Sequence, residues 1–94
     1  MSGLFESMDK FNGDISDWDV SNVTDMSSMF EICKSFNQPL ANWDVSNVTK
    51  MAYMFYGCKS FNYDISNWYV SNVNYIYKIF ENCIIEEKHK PKFK

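Results

Sequence analysis

Apolar residues return along this chain at one fixed interval, from i to i+25. Phe11, Phe36 and Phe61 form one such column, and Trp18, Trp43 and Trp68 form another. The same spacing links Val20, Val45 and Val70, then Val23, Val48 and Val73. Four further columns follow: Met26, Met51 and Ile76; Met29, Met54 and Ile79; Phe30, Phe55 and Phe80; Cys33, Cys58 and Cys83. The units are residues 11–35, 36–60 and 61–85, with no insertion or deletion between them. The first two agree at 15 of 25 positions and the last two at 10, so the period survives substitution of most outward residues. Residues 1–10 extend it backwards as a half-unit, because Met1, Leu4, Phe5 and Met8 fall in the columns of Met26, Met29, Phe30 and Cys33. At the other end the Phe11 column falls on Glu86, and the pattern is read as stopping there, before a basic tail of residues 86–94.

Within each unit the local pattern changes. Met26, Met29, Phe30 and Cys33 sit at i, i+3, i+4 and i+7, the spacing of one helical face, and Met51, Met54, Phe55 and Cys58 repeat it. Asn22 or Thr24 is placed to cap such a helix, and Gly57 and Asn82 suit its left-handed end. Upstream, the alternation around Trp18 and Val20 predicts a short strand. One unit cannot bury eight apolar columns alone, whereas stacked units bury them against like columns. The predicted fold is therefore an α/β repeat solenoid, right-handed, of about three and a half coils. Its short parallel strands would lie side by side about 4.8 Å apart, each followed by a short helix.

The run Phe-Asn-x-x-Ile/Leu-x-x-Trp-Asp-Val-Ser-Asn-Val-Thr-x-Met-x-x-Met-Phe-x-x-Cys, best seen over residues 36–60, resembles the BspA-like leucine-rich-repeat family. The likeness is to its 25-residue form, found in mycoplasma surface lipoproteins and also in large DNA viruses and protists. It spans residues 1 to about 85. The resemblance implies a leucine-rich-repeat-like fold, an adhesive or scaffolding role, and no catalytic residues. The chain departs from the common leucine-rich consensus, so a standard horseshoe curvature does not follow. It also shows neither a signal peptide at its start nor a lipid-attachment cysteine, which points to an intracellular or virion location ahead of a cell surface.

Charge narrows the partners. Residues 1–85 carry ten acids and five lysines, a net of −5, whereas the last nine residues carry two acids and four lysines. An acidic body is a poor surface for phosphates, so no nucleic acid is expected on the repeats. No stretch approaches the roughly 20 apolar residues of a membrane span. The tail Lys88-His89-Lys90-Pro91-Lys92-Phe93-Lys94 reads as a solvated end.

Candidate chemistry is sparse. Cys33, Cys58 and Cys83 recur at i+25, not at the two to four positions of paired zinc ligands, and read as a ladder of buried, reduced thiols. Asn22-Val23-Thr24 and Asn47-Val48-Thr49 match the glycosylation sequon, but the asparagine persists at Asn72 where the sequon is lost. A hydrogen-bonded ladder of Asn22, Asn47 and Asn72 explains that persistence. Asp14, Asp17, Asp19 and Asp25 look like calcium ligands, yet the second unit places Pro39, Asn42, Asp44 and Lys50 there, so a solvated acidic face is the simpler reading. The single histidine, His89, lies in the tail, and no nucleophile has a paired base at a spacing that the repeat preserves. No catalytic, metal or cofactor residues are assigned, and no small-molecule substrate is expected.

Four tyrosines remain. Tyr63, Tyr69, Tyr75 and Tyr77 replace Gln38, Asp44, Lys50 and Ala52 of the second unit, at variable columns that should face outward. Tyrosine offers a large, stiff ring with a polar tip, suited to interfaces and equally to shielding a last coil. The functional expectation is a non-catalytic protein–protein interaction module presenting these residues. The alternative is a structural assembly unit, self-stacking or built into a particle or surface layer. At the opposite end, the half-unit residues Leu4 and Phe5 would contact a second copy or a neighbouring subunit.

Overall fold

The computed structural model describes residues 1–93. Every apolar column named above marks the start or end of a tight turn. In the first unit the backbone closes i→i+3 hydrogen bonds at 15–18, 20–23, 26–29, 30–33 and 33–36. Most of their end residues point inward: Ile15, Val20, Met26, Met29, Phe30, Cys33 and Phe36 are all buried. The central residues of these turns are exposed or half-buried. The later units repeat the first four turns, at 40–43, 45–48, 51–54 and 55–58, then at 65–68, 70–73, 76–79 and 80–83.

This overturns the expected α/β solenoid. Among the described residues no strand forms; the only β-type pairing is a pair of isolated parallel bridges, Asp25 with Lys50 and Lys50 with Tyr75. The only helix among the described residues is a three-residue 3-10 turn, Glu87–His89, in the tail. Segments 26–33 and 51–58, predicted as helices, are instead two successive turns each. The third residue of each turn has a positive φ, as a type II turn requires. These residues recur by column: Gly3, Ser28, Tyr53 and Lys78 in one, and Ser7, Ile32, Gly57 and Asn82 in the other. In the front half the turns at 15–18 and 20–23 follow so closely that the strand expected around Trp18 and Val20 has no extended run to pair.

Units nonetheless lie on one another in register. In the back half of each coil, every second N–H donates from i to the carbonyl of i+24: Met26 to Lys50, Ser28 to Ala52, Phe30 to Met54, Ile32 to Tyr56. The next coil repeats this from Met51, Tyr53, Phe55 and Gly57 to Tyr75, Tyr77, Ile79 and Glu81. In the front half, side chains join backbone bonds such as that from the Thr49 N–H to the Thr24 carbonyl as links between coils. Asn12 Oδ1 accepts from the Asn37 N–H at 2.8 Å, and Asn37 Oδ1 from the Asn62 N–H at 3.3 Å. The Trp43 indole donates to the Ile15 carbonyl at 3.0 Å, and Trp68 to that of Leu40 at 2.9 Å.

The core is two ladders of near-parallel phenylalanine rings. Phe5, Phe30, Phe55 and Phe80 stack with centroids 5.5–5.7 Å apart. Phe11, Phe36 and Phe61 stack at 5.8 Å. The ladders touch sideways at 4.1–4.5 Å. Among the described residues no buried side-chain N or O lacks a hydrogen bond, as a stable interior requires.

The tail also departs from expectation. It does not leave the body as a solvated end. Pro91 is buried, and Phe93 falls in the tryptophan column and packs against the core. The Ile65 N–H donates to the His89 carbonyl at 3.0 Å, and Asn62 Oδ1 accepts from the Glu86 N–H at 2.9 Å. Residues 86–93 thus form the front half of a fourth coil; Lys94 lies outside the described residues.

Candidate interaction surface

Coil stacking decides which outward side chains meet. Because the backbone links i to i+24, Tyr53 of the second coil lies beside Tyr77 of the third, and the Tyr53 N–H donates to the Tyr77 carbonyl. Their rings meet edge to face, with centroids 5.6 Å apart. Tyr56 closes the 53–56 turn and packs edge-on to Tyr53 at 5.6 Å. Lys78 Nζ stands 5.4 Å from the centre of the Tyr77 ring and 3.6 Å from Glu81 Oε2. The neighbouring Glu81 carboxylate holds the Lys78 ammonium above its ordinary pKa. Tyr75 is exposed in the adjacent bridge column.

Of the four tyrosines expected to act together, the structure joins Tyr77 to this cluster and sets Tyr75 beside it. Tyr63 and Tyr69 are exposed but make no aromatic contact among the described residues. Tyr53 and Tyr56 are not singled out by comparing the third unit with the second, since they belong to the second. The signal lies elsewhere in the chain: with tyrosines at 53 and 77, an i to i+24 link makes them neighbours.

At the N-terminal end Leu4 and Phe5 part company. Leu4 is 48% exposed. Phe5 belongs to the core ladder, stacked on Phe11 and Phe30, with Trp18 at 5.7 Å. Trp18 has no earlier carbonyl in the described chain to donate to and is 42% exposed, while Trp43 and Trp68 are buried.

The remaining candidates have structural places. Asn47 Nδ2 donates to the Ser21 carbonyl and Asn72 Nδ2 to that of Ser46, both at 2.7 Å. Asn22 is one coil earlier in the same column. Cys33 Sγ donates to the Phe5 carbonyl at 2.9 Å and Cys58 Sγ to that of Phe30 at 3.0 Å; Cys83 Sγ lies 3.7 Å from the Phe61 carbonyl. All three cysteines are free. Burial pushes the Cys33 thiol up to about 11 and raises Cys58 and Cys83 as well. Asp14, Asp19 and Asp44 each accept from the hydroxyl and the backbone N–H of the serine two residues on, and Asp64 sits likewise before Ser66. The serine hydroxyl first, and its N–H second, hold these four carboxyls below their ordinary value. Asp25 is lowered in the same way, chiefly by the Ser27 N–H. Asp17 makes no such turn, so the acids sit one to a turn instead of converging. His89 Nδ1 lies 3.0 Å from Asn62 Oδ1, and the amide nitrogen of Asn62 donates to Glu86.

Among the described residues no group of three His, Cys, Asp or Glu side chains is placed to hold a metal ion. None of their helices is long and apolar enough to cross a membrane. No curated relative and no solved structure matches the chain. One family model matches residues 1–92, which takes in the half-unit, all three units and most of the tail. The chain belongs to the family described as Mycoplasma protein of unknown function, DUF285.

Proposed function

We propose that this chain is a non-catalytic protein-binding module, and that it binds through the face built by Tyr53, Tyr56, Tyr75 and Tyr77. One observation carries the reading. The coil stacking gathers tyrosines from two coils into a single edge-to-face cluster with a lysine over one ring. Stiff aromatic rings with polar tips bind proteins at low cost in side-chain entropy. The resemblance of the repeat to BspA-like units supports the same adhesive or scaffolding class.

The test is capture on the immobilised chain. A protein partner held by the wild type should be lost with the Tyr53→Ser, Tyr77→Ser double variant and kept by Tyr63→Ser, whose ring lies outside the cluster. Equal capture by all three would reject this face.

A further inference from the structure

The tyrosine cluster already holds a cation. Tyr53 meets Tyr77 at 79° and Tyr56 at 64°, each with centroids 5.6 Å apart. Rings that meet so steeply form a corner, and an aromatic face carries negative potential. Lys78 lays its ammonium 5.4 Å from the centre of the Tyr77 ring, and the Glu81 carboxylate stands 3.6 Å from the same ammonium. A ring face beside a carboxylate is what a desolvated ammonium group needs.

The repeat sets acids next to these rings. Residues 6, 31, 56 and 81 share one column, and they are Glu6, Glu31, Tyr56 and Glu81. The stacking keeps them adjacent, because the Ser7 N–H donates to the Glu31 carbonyl, the Ile32 N–H to that of Tyr56 and the Gly57 N–H to that of Glu81. Glutamates therefore flank Tyr56 on the coil before it and the coil after it. The outward positions of the back-half turns hold three glutamates, three tyrosines and one lysine, Lys78. The one cation of this face is thus the one seated in its aromatic corner.

The wider charge has the same sign. Residues 1–85 carry ten acids and five lysines, a field that draws positively charged partners and repels acidic ones. An extended chain repeats its side chains on one face about every 6.6 Å. The coils repeat every 5.5–5.7 Å along the phenylalanine ladder, so alternate lysines on flexible stems keep pace with successive coils.

We propose that the partner of this face is a basic protein segment, which lays one lysine ammonium in the corner between Tyr53 and Tyr77 and further lysines along the Glu31 and Glu81 column. This rests on the reading of the tyrosine cluster as a protein-binding face and names the chemistry of what binds there. Lys78 is then an internal occupant, whose ammonium yields the Tyr77 ring to the incoming one.

A peptide of alternating glycine and lysine, ten residues long and labelled at its N-terminus, tests this by fluorescence anisotropy on the full chain. The wild type should bind it, and should not bind the same peptide with every lysine acetylated, which keeps the stem and removes the charge. Tyr77→Leu should weaken binding by roughly two- to fivefold, the worth of one exposed cation–π contact. Lys78→Gln should tighten binding, and by more than Lys59→Gln, which removes the same charge outside the cluster. Both lysines are exposed, so this pair decides even if Tyr77→Leu fails to fold. Equal tightening by the two, or undiminished binding by a folded Tyr77→Leu, would mean a diffuse acidic surface and overturn the proposal. So would a wild type that ignores the lysine peptide or binds its acetylated form equally well. The two readings fail separately: a captured protein lost with Tyr53→Ser, Tyr77→Ser but not displaced by the lysine peptide keeps the face and rejects the basic partner.

Discussion

Trp43 does with one indole what a strand does with its backbone: its N–H reaches into the preceding coil to the Ile15 carbonyl inside the core. Trp43→Phe keeps an aromatic ring and removes one of the two hydrogen bonds that carbonyl accepts, the Trp18 N–H remaining, so it should cost about 1 kcal/mol in denaturant unfolding. Trp18→Phe, with an exposed ring, should cost far less. The thiols behave as core atoms. Buried Cys58 should react with a thiol reagent only after unfolding, and the half-buried Cys83 sooner; equal native rates would place Cys58 at the surface. For the exposed aspartates the sign is set by lowered values. Their ordinary pKa is 3.8, and the serine bonds lower it in the fold at Asp14, Asp19, Asp44 and Asp64. Their contribution is then full above about pH 4 and is lost as pH falls through the lower folded values. Asp44→Asn should flatten the stability curve below about pH 4 and leave its slope at neutral pH unchanged.

At the scale of the element, the spacing i, i+3, i+4, i+7 has two physical readings. It is one face of a helix, and it is also the four ends of two adjoining turns. The inward set, Met26, Met29, Phe30 and Cys33, is the same in both, so the core was legible in the sequence while the backbone was not. What separates the readings is the third residue of each turn. Gly3 and Gly57 hint at positive φ, but Ser28, Ile32, Tyr53 and Lys78 in the same columns mask it. Gly57 is left-handed, as its sequence context suggests, but it ends no helix. An added Cβ there would meet only Ile32 atoms at 3.5 Å or beyond, so Gly57→Ala should cost about 1 kcal/mol from backbone conformation and not from a clash. A change above about 3 kcal/mol would mean a packing defect instead. The Asn12, Asn37 and Asn62 column is visible as a constant polar position, yet its bonds to the next coil's N–H follow only once the stacking is known. Phe93 is hidden because its ring replaces a tryptophan and the preceding columns no longer match.

For the molecule as a whole, the phenylalanine ladders tie all coils into one interior within a body 30 Å long. Phe55 lies in the middle, stacked between Phe30 and Phe80 and against Phe61. Phe55→Ala should cost about 3–5 kcal/mol and lower the melting temperature of the entire chain in a single transition. Two separated transitions would show that the coils melt independently.

The uniform spacing of the cross-coil bonds has a kinetic consequence. Each backbone bond between coils joins position i to one between i+24 and i+26, so adding a coil closes a loop of the same size as the one before. Loop closure entropy depends on loop length, and here that length does not grow with the chain. Docking a coil onto a formed neighbour is thus the same elementary event each time, and refolding proceeds as a zipper from any formed pair. A chain extended by one further 36–60 unit should refold at a rate close to that of the original while unfolding more slowly, a pattern readable in the two arms of its chevron plot.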